Sequence, residues 1–499
     1  MDESTLKIKT ARSVKWNVID RVSAQVLYAI TGIILARELS QEEFGLVGAV
    51  MVFQAFASLL VDSGFSSALI QRKSPTQQDY STVLWFNLSL SAGLYLILFF
   101  SAPLIAACFQ GDERIIPLSR VMFLTLILNA SSIVQVNRLM KQMNVRMVAI
   151  SNTVGLLVGG IIGIWMAYAG YGAWAIVWQS IALYSVKSAI LWVSQRWMPS
   201  AIFSMSILRS YFNIGSRMMI TSFLNTLFLN IYSFFIGNRV GMASLGYYTQ
   251  SDKWSKMGIM SLSQVLTSSF VPALSAVQDQ RERFKNMCAK MNRFTAYIVF
   301  PAFFGLIIMA QPIFHGLFGT KWDPSVILFQ LLLIRGIFTV FIGYYNNVLL
   351  ALGKARIIMW MEVLRDSVAL IALVATLPYL AESRQDNIVW GLEILLYGQL
   401  SASVLTWIVT LFMTARATGR GISAFLIDKI PYFVLGGIAA TIAWLTGGLF
   451  ANPFAIIAIE VGVGSAIFFG ISHITGSVIQ REVFGYVLRR FKTPQKDAH

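Results

Sequence analysis

Apolar residues along this chain neither alternate nor keep to one stripe. They run in long windows that are apolar on all sides, separated by short segments carrying charge, Gly and Pro. A bilayer core takes ~20 such residues as a helix, whereas a membrane barrel would show ~10-residue stretches of alternating polarity. The windows therefore predict transmembrane helices. Fourteen are expected, at 14–36, 44–70, 82–107, 116–136, 148–168, 172–194, 211–237, 254–275, 294–316, 326–351, 357–378, 389–414, 430–450 and 453–475. The fold class that follows is an all-α polytopic membrane protein.

Composition agrees with this pattern. Of 499 residues, 56% are hydrophobic and 12% charged, about half the charged share of a soluble domain. A secreted disulfide scaffold, a disordered chain and an ordinary cytosolic enzyme are excluded. The net charge of +16 would suit a nucleic-acid binder, but it also follows from Lys and Arg gathering in cytoplasmic loops. With the N-terminus inside, most of the 39 Lys and Arg residues fall on cytoplasmic segments. The external set is short: Arg37, Arg114, Arg120, Arg239, Lys253, Lys256, Lys321 and Arg384. Both termini are thus expected in the cytoplasm, with membrane lipids as surroundings and no nucleic-acid partner. The first apolar stretch carries Asp20 and Arg21 and reads as a retained anchor rather than a cleavable signal.

The first six spans resemble the next six. Asn17-Val18-Ile19-Asp20-Arg21 matches Asn213-Ile214-Gly215-Ser216-Arg217, and the segment Asn137 to Arg146 matches Asn347 to Arg356. Phe44-Gly45 matches Leu245-Gly246. The expected organisation is a cytoplasmic N-terminus (1–13), a first lobe (14–195), a cytoplasmic linker (196–210), a second lobe (211–415), two additional spans (416–475) and a basic tail (476–499). Lobes of six spans relate by an axis along the membrane normal, which suits a substrate cavity between halves that rock around it.

Charge within hydrocarbon costs on the order of 2.5–3.5 kcal/mol by insertion scales, so the charges inside the spans carry information. They are Asp20, Arg21, Asp62, Lys187, Arg217, Arg335, Glu362, Arg365, Asp366, Glu393 and Glu460. Asp62 could neutralise Arg21, and Glu362, Arg365 and Asp366 have the spacing of a local ion-pair set. Lys187 and Arg365 could snorkel to the headgroups. Arg21, Arg217 and Arg335 come from separate spans of both lobes, and arginine grips phosphate in a bidentate fork. They are expected, with Arg365, to bind an anionic head; Asp20, Asp62 and Glu393 are the candidates for coupling to an ion. A cation-coupled drug antiporter would need its acidic residues exposed in the same cavity and stays open as an alternative.

The three histidines, His315, His473 and His499, are not spaced for a metal, and neither a phosphate loop nor a nucleophile elbow occurs. No cofactor is expected. A membrane glycan ligase or polymerase would need a large external loop, and the longest expected one, 237–254, is short. Trp16, Trp85, Trp174, Trp254, Trp322 and Trp390 read as an interfacial belt.

Ile33-Ile34-Leu35-Ala36-Arg37-Glu38-Leu39 with Glu42-Glu43-Phe44-Gly45-Leu46-Val47 resembles the first-loop signature of the bacterial polysaccharide transporter family, colanic-acid-exporter type. The stretch from Asp62 to Lys73, Gly170-Tyr171-Gly172-Ala173-Trp174 and Leu245-Gly246-Tyr247-Tyr248 extend the likeness, which runs from about residue 10 to 420. Met143-Asn144-Val145-Arg146 departs from it in lacking an aromatic before the last basic residue. The resemblance implies the multidrug/oligosaccharidyl-lipid/polysaccharide exporter superfamily, with two six-helix lobes in a V around a central cavity. It further implies flipping of an undecaprenyl-pyrophosphate-linked oligosaccharide to the periplasmic leaflet of the bacterial inner membrane. Glycosyltransferases and a polysaccharide polymerase are the partners it suggests.

Overall fold

The computed structural model describes residues 3–62, 69, 70, 72, 74–380 and 387–482. Within that path, side chains are described except at 3–11, 213–218, 220, 221, 265, 268 and 269. In chain order the helices are α1 (Glu3–Glu38), α2 (Gln41–Asp62), α3 (Gln77–Cys108), α4 (Ile115–Met122), α5 (Leu124–Lys141), α6 (Val145–Tyr168) and α7 (Trp174–Gln195). They continue as α8 (Met205–Arg239), α9 (Met242–Ser275), α10 (Arg281–Ile308), α11 (Ala310–Ile313), α12 (Pro324–Ala351) and α13 (Ala355–Thr376). The last are α14 (Trp390–Thr418), α15 (Ile422–Ile427), α16 (Ile430–Gly447) and α17 (Pro453–Ile474). No strand occurs among the described residues.

Among the described residues, eleven helical segments are long and apolar enough to cross a membrane. The other expected spans fall on α8, α9 and α13, which are continuous helices but interrupt their apolar surface with Asn, Ser, Thr, Gln and charge. The expected number of fourteen is therefore not confirmed: eleven spans qualify among the described residues. Large apolar side chains face outward in quantity: Val193 is 76% and Leu449 81% exposed. Surface of that kind fits hydrocarbon rather than water. The expected external loop at 237–254 is far shorter than its limits, because α8 and α9 are separated only by Val240 and Gly241. Lys253 and Lys256 therefore ride on α9, and Lys256 pairs with Asp252 at 2.6 Å. Trp322 is fully buried, in a tight turn before α12, rather than interfacial.

Packing divides the chain into two units, Met1–Thr249 and Gln250–His499. In the first, α6 packs on α7 and α1. Gly155, Gly159 and Gly163 form a ridge one helical turn apart. A Cβ on Gly159 would sit 2.6 Å from the Gln179 carbonyl oxygen, and one on Gly155 2.8 Å from that of Leu183. Small residues at this spacing let backbones approach within a bilayer. The start of α3 is closed by a capping box. Asp79, fully buried, accepts from the Thr76 backbone N–H at 2.6 Å, the Thr76 hydroxyl at 2.8 Å and Arg72 at 2.7 Å. Asp79→Asn weakens all three contacts, and we expect it to destabilise the protein by about 1–3 kcal/mol, read as a lowered thermal midpoint in detergent. In the loop before α4 the Arg114 guanidinium, 2.7 Å from Asp112, holds that carboxyl below the usual carboxylate range.

Residues 197–204 are strapped onto α3. Trp197 and Met198 bond the Gln77 side chain, the Ser200 backbone N–H donates to Ser81, and Trp85 donates to the Ser200 carbonyl at 2.9 Å. In the second unit α10 packs on α12 and α16, and α14 on α12 and α13. The Lys429 ammonium, buried between α15 and α16, lies 4.1 Å from the ring centre of Phe341 and 4.9 Å from that of Tyr345. Beside it Asp428 receives Arg420 at 2.7 Å.

Candidate functional site

In the first unit four helices bring charge to one place. α1 supplies Asp20 and Arg21, α2 ends on Asp62, α6 supplies Asn152 and α7 supplies Lys187. The Asn152 amide donates to the two Asp20 carboxylate oxygens at 3.2 and 3.4 Å. The Lys187 ammonium stands in the fields of both Asp20 and Asp62. Both carboxylates favour the charged ammonium, against the cost of its burial. The glycine ridge is what admits it: Cβ of Lys187 lies 3.5 Å from where a Cβ on Gly155 would stand. The side chain of Arg21 is exposed beside this cluster, and its field reaches Asp20.

Arg21 is therefore an exposed guanidinium next to Asp20 on the same helix, beside this polar cluster. Arg146 lies over the ring of Trp16, 5.5 Å from its centre. Arg217 is on α8, but its side chain lies outside the described residues. So do residues 63–68, 71 and 73 of the stretch following Asp62, as well as Arg384 and the tail from 483.

In the second unit Arg335 is eleven residues into α12, roughly 16 Å along its axis and so near the middle of a ~30 Å core. One guanidinium nitrogen donates to the Gln399 side-chain oxygen on α14. Among the described residues, Arg335 Nε and Gln399 Nε2 are buried donors without an acceptor. Unmet donors facing no carboxylate are the chemistry an anion answers. Arg365 differs. It holds Glu362 at 2.5 Å and Asp366 at 2.9 Å, so its charge is compensated on α13 itself. Glu393, in the first turn of α14, accepts from the Asn387 amide at 2.7 Å and holds the loop before that helix.

The structure thus unites Asp20, Arg21 and Asp62 in one unit and leaves Arg335, Arg365 and Glu393 at separate places in the other. Asn152, Lys187 and Gln399 are the partners that reading the sequence did not select. Lys187 stood in the charge inventory, and Asn152 and Gln399 are amides in otherwise apolar spans. That was the signal available for them.

Comparison with known proteins gives these features a context. The chain is 26% identical over 436 residues to the succinoglycan biosynthesis transport protein ExoT of Rhizobium meliloti (strain 1021), covering 86% of this chain and 83% of that one. It is 24% identical over 436 residues to the teichuronic acid biosynthesis protein TuaB of Bacillus subtilis (strain 168), covering 86% and 87%. Among solved structures, the lipid II flippase MurJ in an inward closed conformation superposes with a TM-score of 0.69 at 13% identity, over 94% of this chain and 100% of that one. That likeness shows a shared fold. Residues 34–327 match the polysaccharide biosynthesis protein family. The match spans more than half of the sequence, and the chain belongs to that family.

Proposed function

We propose that this protein is a flippase that moves an undecaprenyl-pyrophosphate-linked oligosaccharide from the cytoplasmic to the periplasmic leaflet for surface-polysaccharide synthesis. It acts by alternating access in the bacterial inner membrane, with both termini cytoplasmic, and performs no covalent chemistry. The observation that carries this reading is the pair of arginines, Arg21 and Arg335, one in each unit and neither in a salt bridge with a carboxylate among the described residues. A pyrophosphate supplies the missing acceptors, and a guanidinium fork matches its oxygens. The names of the polysaccharide-biosynthesis relatives support a glycan cargo over the drug antiporter and the ligase alternatives. Glycosyltransferases would supply the cargo and a polymerase would consume it.

Arg21, Arg217 and Arg335 hold the pyrophosphate in this scheme. Arg365 joins only if it first releases Glu362 or Asp366. A membrane potential negative inside favours outward movement of negative charge by ~2.3 kcal/mol per charge per 100 mV. The cluster of Asp20, Asp62 and Lys187 offers a different drive, in which a proton or sodium ion enters against cargo exit, with Glu393 as a further carrier. Reconstituted vesicles with potential and pH gradient imposed separately distinguish them. We expect the potential alone to drive translocation. Transport that follows only the ion gradient, and is lost in Asp20→Asn, assigns the drive to the cluster instead. A protein that translocates no lipid-linked oligosaccharide under either gradient overturns the reading.

A further inference from the structure

Helices α10, α16 and α17 line a half-open cavity of about 450 Å³ within the second unit, a size ordinary for small-molecule sites, which run from about 300 to 1,000 Å³. It exists because the facing positions are small: Gly436, Ala439 and Ala443 on α16, and Gly464 on α17. The lining is mostly apolar, with Ser465 on α17 between two polar ends. At one end is Glu460, seven residues into α17 and so roughly 10 Å below the helix start. At the other is Tyr297, whose ring packs on Phe468, ~12 Å along α17 from Glu460. Glu460 is 4% exposed, and among the described residues neither its Oε2 nor the Tyr297 hydroxyl has a hydrogen-bond partner. The sequence also makes room for the carboxyl, since a Cβ on Gly447 would stand 2.7 Å from Oε1.

We propose that this cavity binds a lipophilic ammonium ion, an apolar body bearing one protonated amine, with Glu460 as its counter-charge. The candidate-site residues above play no part in it. A buried carboxylate without a donor is costly, and a hydrocarbon chain filling the space would leave it so. An ammonium compensates the charge, its apolar body fills the small-residue trough, and the Tyr297 hydroxyl meets a polar group at the far end.

The test is equilibrium binding of dansylcadaverine, a fluorescent aromatic sulfonamide with one aliphatic ammonium, to the full chain in nanodiscs. Empty nanodiscs serve as the blank. The wild type should bind saturably, and the same dansyl group on an uncharged pentyl chain should bind at least ten-fold more weakly. Glu460→Gln, which keeps the side-chain shape, should weaken the amine at least ten-fold and leave the uncharged analogue unchanged. Gly464→Phe, which fills the trough and retains the carboxyl, should abolish binding of both. The proposal is overturned by equal affinity of Glu460→Gln and wild type for the amine, by equal affinity of the two probes, or by signal no greater than the blank. If Glu460→Gln fails to fold, the comparison of the two probes on the wild type and on Gly464→Phe decides alone. None of these outcomes depends on whether the protein moves an oligosaccharide.

Discussion

Valine at Gly45 or Gly246 is expected to prevent native packing of the first unit, lowering the thermal midpoint sharply or leaving no folded protein to purify. The two glycines occupy equivalent places at a reciprocal crossing of α2 with the start of α9. A Cβ on Gly45 would stand 1.8 Å from the Met242 carbonyl oxygen, and one on Gly246 1.9 Å from that of Gln41. The obstacle is backbone in both cases, so no rotamer change can yield and the helices must move apart. Overpacking of well-packed interiors costs about 1–3 kcal/mol and sometimes more; the upper end or beyond is expected here, against a total stability of about 5–15 kcal/mol. Because separation of the helices relieves both clashes, the double variant should cost less than the sum of the singles. Gly93→Val is the control, as a Cβ there meets nothing within 4 Å. A midpoint for Gly45→Val equal to that of Gly93→Val would show that the crossing is not as described.

Those glycines also show how far the sequence can be read. Phe44-Gly45 and Leu245-Gly246 are visible as a weak internal match, and the structure supplies its cause: each glycine opens the path for the other helix. Span positions were legible because hydrocarbon demands long apolar windows. The helices of α8, α9 and α13 were legible as windows although polar residues interrupt them. Local ion pairing was legible in part: Glu362 and Arg365 meet at the i, i+3 spacing expected, while Arg365 also holds its sequence neighbour Asp366. Side-chain partnerships between helices were not. Asn152 on Asp20, Gln399 on Arg335 and Lys187 in the fields of Asp20 and Asp62 depend on which helix faces mate, and single-chain periodicity carries no such information. Trp322 shows the same limit: its position near a span end suggested an interface, while the tight turn it occupies folds it inward.

Loss of Arg21 or Arg335 should abolish surface polysaccharide without loss of the protein from the membrane. Hydrogen bonds to charged groups contribute about 1.5–3 kcal/mol, so removing one guanidinium from a pyrophosphate lowers transport about ten- to 150-fold. Arg21→Ala should leave folding intact because that side chain is exposed. Arg335→Ala frees Gln399 from its donor, so Arg335→Lys is the companion variant: it retains charge, loses the fork and should give an intermediate level. Arg114→Ala breaks exposed ion pairs to Asp112 and Glu42; such pairs are worth little, and export should be unchanged. The readouts are surface glycan and membrane abundance in cells whose own copy is deleted. Normal glycan from both alanine variants at native abundance would remove these arginines from the transport path.

The most direct measurement is translocation itself. Purified protein in liposomes, given an undecaprenyl-pyrophosphate-linked oligosaccharide in one leaflet and an imposed membrane potential, should deliver it to the other leaflet. Arg21→Ala and Arg335→Ala, equally folded and equally inserted, should do so at least ten-fold more slowly. Equal rates for the three proteins, or a rate no greater than in protein-free liposomes, would contradict cationic capture of the pyrophosphate as the basis of transport.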